Sequence, residues 1–304
     1  MRMTMNLTKP ISFKLFVALL IVTLGAEVLL YLTRFSYLAS DLYDAVMVSS
    51  LFIGWRISPR LGQIQEKKKT KRRIALQFTG AFLIFFLGSS LVNIYSGIVF
   101  SEFNDDYNHY VQDYTSTPST QGEGTHSSSG SNTSPTFWDQ VDTLGNDLYT
   151  DALAGLEEVW RLAYIILLLV VCKKWFPSRW ESGKRDLFLL AALFLTSILF
   201  GIDHTLDAEE SWRVRIGAIV TFGNMGFILG LILLWTRNLW LTVLVHSVYD
   251  MTTTISWYYY DYAVECLALI VLIVFIILLI LEIRQKNRQL AAMGVEGIEV
   301  PEST

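Results

Sequence analysis

Long apolar stretches alternate with short polar ones through most of this 304-residue chain. Eight of the stretches are long enough, at about 1.5 Å per residue, to cross a hydrocarbon layer of about 30 Å as helices. They cover residues 11–34, 41–57, 74–100, 151–171, 187–204, 216–235, 239–257 and 262–282. The second is the shortest and carries Asp44 near one end. The last shows almost no polar face, whereas a helix of a water-soluble bundle keeps one. The pattern predicts an all-α fold, a polytopic transmembrane helical bundle of about eight spans. The first stretch exceeds a signal-peptide core and lacks a cleavage-like site, so it reads as a span.

Composition agrees. The chain is 52% hydrophobic and 17% charged, with a mean hydropathy of +0.41, where a soluble domain carries about a quarter charged residues. Charge adds orientation. Residues 101–150 contain many acids and no Lys or Arg, while Lys67-Lys68-Lys69-Thr70-Lys71-Arg72-Arg73 is densely basic. Cytoplasmic loops collect such cations, so this block reads as a loop between spans and not as a nucleic-acid patch. With the N-terminus (Arg2, Lys9, Lys14) inside, residues 58–73, 173–186, the Thr236-Arg237-Asn238 turn and the tail beyond Glu282 are also inside. These segments hold most of the chain's 24 Lys and Arg. Both termini are therefore expected in the cytoplasm of a multi-pass plasma-membrane protein, with the lipid bilayer as its solvent. Nothing signals the endoplasmic reticulum, so a bacterial membrane is expected. Cys172 and Cys266 both lie in apolar runs, which excludes a disulfide framework or a Cys-based zinc site.

Residues 101–150 divide the chain. Their Ser/Thr/Gly-rich centre, residues 115–135, has too little apolar surface to fold by burial, so a flexible extracytoplasmic acidic linker is expected, with a helical turn near Phe137-Trp138. Asn132-Thr133-Ser134 fits a glycosylation sequon, relevant only in a secretory pathway. Residues 1–100 read as an accessory bundle of three spans, residues 151–282 as a catalytic core of five, and residues 283–304 as a cytoplasmic tail.

Polar residues inside the core point to chemistry. An ionisable group in the bilayer costs roughly 2.5–3.5 kcal/mol and usually has a function. Of the four histidines, His109 and His126 lie in the linker, but His204 and His246 lie in apolar runs. Arg161 follows Glu157 by four residues and Glu158 by three, spacings that share a helix face. Two adjacent carboxylates in low dielectric cannot both ionise cheaply. One is read as a general base and the other as an orienting partner fixed by Arg161; a plain inter-helix ion pair would look the same. Phe200 and His204 are one turn apart, as are His246 and Asp250. Asp250 would fix the ring tautomer of His246, or both would face the reaction.

Glu-Glu-x-x-Arg, Phe-x-x-x-His and His-x-x-x-Asp, in that order in three spans, resemble the CPBP family of CAAX-protease and bacteriocin-processing (Abi) intramembrane endopeptidases. The likeness extends through Gly226-Phe-Ile-Leu-Gly230 and Trp235-Thr-Arg-Asn-Leu-Trp240 to His246, and covers about residues 151–251. The family usually has three residues between its glutamate pair and its arginine, and here there are two, Val159 and Trp160. Aligning on the pair makes Glu157 the base; anchoring on Arg161 would put Leu156 at the first glutamate, and Glu158 stays close behind. The tighter spacing is also similar to the Glu-Glu-x-x-Lys motif of PrsW-type membrane proteases, which have Glu where His204 stands.

The resemblance implies hydrolysis of peptide bonds in membrane-associated or envelope peptides by glutamate-activated water. His204 and His246 would stabilise the oxyanion, or would bind zinc together with Glu157. Two rivals follow from other classes. A family member that kept the fold without catalysis would be a membrane scaffold or regulatory partner of an envelope or sensor protein. A proton-coupled transporter would also place acids and histidines in spans, but no internal repeat supports it.

Overall fold

The computed structural model describes residues 2–62, 71–116, 137–206 and 210–292, and all of its regular structure is helical. The short α1 (Arg2–Leu7) precedes α2 (Phe13–Leu20), a π-helical turn at Ile21–Gly25 and α3 (Ala26–Thr33), which together make the first expected span. Then come α4 (Tyr37–Ile57), a 3₁₀ turn at Ser58–Leu61, α5 (Lys71–Val99), α6 (Ser101–Ser116) and α7 (Phe137–Ala154). The remainder is α8 (Glu157–Trp175), the short α9 (Pro177–Glu181), α10 (Arg185–Asp203), α11 (Trp212–Thr236), α12 (Leu239–Tyr258) and α13 (Ala263–Ala292).

Among the described residues, five helices are long and apolar enough to cross a membrane: Phe13–Thr33, Lys71–Val99, Arg185–Asp203, Trp212–Thr236 and Ala263–Gln289. Their outward faces are apolar; on α13, Leu269, Ile270, Ile273 and Ile277 are all more than half exposed. A soluble surface does not present so continuous an apolar wall. The chain is a polytopic membrane bundle.

Three expectations change. The linker is helical at both ends, as α6 and α7, while its centre at 117–136, with His126 and the sequon at 132–134, lies outside the described residues. Residues 67–70 of the basic block and most of the tail, 293–304, also lie outside them, and α13 runs ten residues past Glu282. Most consequential, the expected span at 151–171 is broken. The chain leaves α7 at Ala154, turns through Gly155 and Leu156, and restarts as α8 at Glu157. The turn is closed by i→i+3 bonds, Leu156 N–H to Leu153 O (2.7 Å) and Val159 N–H to Leu156 O (2.9 Å), the tight form found at helix ends.

Gly155 is the reason the turn fits. A Cβ there would lie 2.1 Å from Ser247 Oγ and 2.6 Å from Val243 O of α12, so only glycine permits this approach. Ser247 Oγ donates to Ala152 O at 3.0 Å, sealing the contact. Restarting at Glu157 puts two acids in the first turn of α8 and Lys173 and Lys174 in its last, each favourable to the helix dipole.

The α11–α12 turn is half-buried, packed against α4 and α5. Arg237 takes a left-handed conformation (φ 51°) to end α11, and Asn238 Oδ1 accepts from Leu241 N–H to start α12. Leu239 is 1% exposed, and a methyl on Gly54 of α4 would touch both it and Trp240. Trp235 lies against Gly80, nine residues or about 13 Å into α5. His246, only seven residues into α12, thereby reaches the level of the start of α8.

One core joins Leu7, Leu19, Val22, Met47 and Ile57 of the first four helices to Val159, Leu162, Ile166 and Leu169 of α8. A second joins α5, α11, α12 and α13 through Phe82, Phe85, Leu229, Val245 and Val271. Burial thus runs across the boundary drawn between accessory bundle and catalytic core.

Candidate functional site

The site forms where α8, α10, α11 and α12 meet. From the first turn of α8, Glu158 (0% exposed) receives two bonds from Arg161, Nε to Oε2 at 2.9 Å and Nη2 to Oε1 at 3.1 Å. The i,i+3 spacing supplies this bidentate geometry within one helix. From α12, His246 stands with Nδ1 3.5 Å from Glu158 Oε1 and Nε2 3.2 Å from Asp250 Oδ2. Arg161, Glu158, His246 and Asp250 therefore form one continuous polar chain.

The Phe200 ring of α10 organises the remainder. The Arg161 guanidinium lies over it at 4.6 Å from the centroid. His246 approaches it at 5.9 Å and His204 at 4.6 Å. Such a stack holds a cation in a dry place. Small residues on α11 make room: a Cβ on Gly226 would sit 2.7 Å from Phe200 Cδ1 and 3.0 Å from Arg161 Nη1. Close helix approach at glycines is a common packing mode in membranes. His204, capping α10, stacks on Phe222 (4.2 Å, 19°) and its Nδ1 donates to Phe200 O at 2.8 Å.

Glu157 points elsewhere than its neighbour. It lines a narrow cavity with Arg161, Trp160, Tyr164, Phe200, Asp203 and Glu27, and it lies within electrostatic reach of His246, Asp250, Glu158 and Arg161. Of the two glutamates, Glu158 is the one bonded to Arg161. Two buried polar atoms at the site have no hydrogen-bond partner, Arg161 Nη1 and His246 Nδ1. Unsatisfied donors in a native core call for an explanation, and a reacting group is one.

The set proposed for zinc does not assemble. Among the described residues no group of three or more His, Cys, Asp or Glu is arranged to hold a metal ion, and each imidazole packs on the Phe200 ring. The residues do not fit the ion, and no step is derived through one.

Two carboxyl groups at this cavity escape the motif reading. Glu27 comes from α3, one residue past Ala26 and the π-helical turn, and accepts a bond from Tyr164 Oη at 3.0 Å. Asp203, the last residue of α10, lines the same cavity as Glu27. The rule that singles out acids within apolar runs marks Glu27 as well, since it sits within residues 11–34. Trp160 Nε1 donates to Ser50 Oγ of α4 at 2.7 Å, a second polar tie to the first spans.

These features define a buried, multi-helix carboxylate–imidazole site in a membrane bundle. Residues 155–252 match the family described as type II CAAX prenyl endopeptidase Rce1-like. This segment is a CAAX-protease-superfamily domain, and it contains all six of Glu157, Glu158, Arg161, His204, His246 and Asp250. No curated protein and no solved structure matches the chain.

Proposed function

We propose that the chain is an intramembrane endopeptidase of the CPBP (Abi) type that hydrolyses peptide bonds of membrane-associated or envelope peptides. Glu157 takes a proton from water in the cavity it lines, the resulting hydroxide adds to the scissile carbonyl, and Glu157 returns the proton to the leaving amine as the C–N bond breaks. Glu158 is held by Arg161 and keeps the cation beside the forming charge. Asp250 orients His246 through Nε2, so that a protonated ring offers a second N–H at Nδ1 to the oxyanion. His204 is the second imidazole at the same ring, 4.6 Å from the Phe200 centroid. The observation that supports this reading most is the buried His246 imidazole set between Glu158 and Asp250, with Nδ1 3.5 Å from Glu158 Oε1 and not engaged in a hydrogen bond.

We also read the bundle as eight spans with both termini in the cytoplasm of a bacterial plasma membrane, on the charge distribution given above. Reconstitution of the purified chain in liposomes with a peptide library, analysed by mass spectrometry, tests the activity. New peptide termini are expected with the wild type and none with Glu157→Gln. The second reading is a catalytically inactive scaffold, which the narrowness of the cavity favours. Full biological function in a folded Glu157→Gln/Glu158→Gln double variant would select it.

A further inference from the structure

The first span sends a carboxyl group into the site from outside the matched segment. Glu27 lies in an otherwise apolar stretch, and its neighbours come from two other helices, Tyr164 on α8 and Asp203 on α10. All three line the cavity that Glu157 lines. The π-helical turn at Ile21–Gly25 ends just before it. An inserted residue of that kind rotates the following face, and such turns gather at functional positions. Glu27 thus brings a carboxyl group to the Tyr164 hydroxyl and to the cavity that Asp203 also lines, a placement that apolar packing alone does not require. Arg161, with its unpartnered Nη1, borders the same space.

We propose that Glu27 is a positioning residue of the active site. It accepts from the Tyr164 hydroxyl and so fixes one polar wall of the cavity that Glu157 lines. The first span is then part of the enzyme's working site and not only its support. The inference rests on the endopeptidase reading for its catalytic consequence, while the Glu27–Tyr164 hydrogen bond stands apart from it.

The test uses the full chain and two readouts. The first is a double-mutant cycle on unfolding in mixed micelles titrated with SDS: Glu27→Leu and Tyr164→Phe should each lower the unfolding midpoint, and the double variant should fall little further than the larger single loss. In the second readout, a peptide that the wild type cleaves is assayed with Glu27→Leu and Glu27→Gln. Leucine should lower kcat on the order of 10²-fold with KM little changed, the scale of a misplaced catalytic group. Glutamine can still accept from Tyr164, so it should restore kcat to within about 3-fold of wild type. Strictly additive midpoint losses, or full kcat in folded Glu27→Leu, overturn the proposal. If the wild type cleaves no peptide, the endopeptidase reading falls and the catalytic consequence falls with it, while the cycle still decides whether Glu27 holds Tyr164.

Discussion

Removing the Arg161 side chain isolates the strongest electrostatic contact in the bundle. In Arg161→Leu, Glu158 loses both of its bonds from the guanidinium, at 2.9 and 3.1 Å, and is left fully buried. Breaking a buried pair from one side costs about 3–5 kcal/mol, because a desolvated charge remains. The guanidinium over Phe200 adds about 1–2 kcal/mol to the loss. His246 Nδ1, 3.5 Å from Glu158, offsets part of it. We therefore expect a net loss of about 3–4 kcal/mol, a fall of roughly 10²- to 10³-fold in the folded-to-unfolded ratio. Removing both partners in Glu158→Leu/Arg161→Leu should restore most of that stability, since an apolar replacement of a buried pair is often neutral or better. The assay is reversible unfolding in mixed micelles titrated with SDS, run as a double-mutant cycle. A coupling energy of about 2 kcal/mol or more is expected. Additive single-variant losses, or an Arg161→Leu protein as stable as wild type, would refute the buried bidentate pair.

Other outcomes follow from the same geometry. Gly155→Ala places a methyl within 2.6 Å of the Val243 carbonyl oxygen, which cannot rotate away. It should cost about 1–3 kcal/mol by overpacking and separate α8 from α12, read as lower unfolding midpoint and lost hydrolysis. Unchanged behaviour would mean that the helices do not meet there. Exhaustive chelation should leave peptide hydrolysis intact, because His204, His246 and Glu157 do not form a ligand set. Loss of activity with restoration by zinc would reverse that conclusion.

Much of this was legible from the chain. The apolar stretches became helices because twenty-odd apolar residues have no other way to satisfy their backbone in a membrane. The one-turn spacings of Glu158 with Arg161 and of His246 with Asp250 became contacts because helical geometry dictates them. Periodicity could not show the break at Gly155, since the apolar run continues through it and only the approach of α12 demands it. Depth was equally hidden. Counted from the expected span ends, Glu157 stands six residues from the outer face and His246 seven from the inner one, and only the packing of α12 against α8 brings the two levels together, with His246 Nδ1 3.5 Å from Glu158. Glu27 was visible as an acid in an apolar run, but it has no partner within its own helix. Its spatial neighbours, Tyr164 and Asp203, lie more than 130 residues away, so no spacing rule could find them.

The most direct measurement is the single-turnover cleavage rate of one identified peptide by wild type, Glu157→Gln and His246→Ala, each verified as folded in liposomes. If Glu157 activates water within this site, Glu157→Gln should lower the rate about 10²- to 10⁴-fold, and His246→Ala should lower it on the order of 10²- to 10³-fold through loss of oxyanion stabilisation. Rates within a few-fold of wild type for Glu157→Gln would contradict the account.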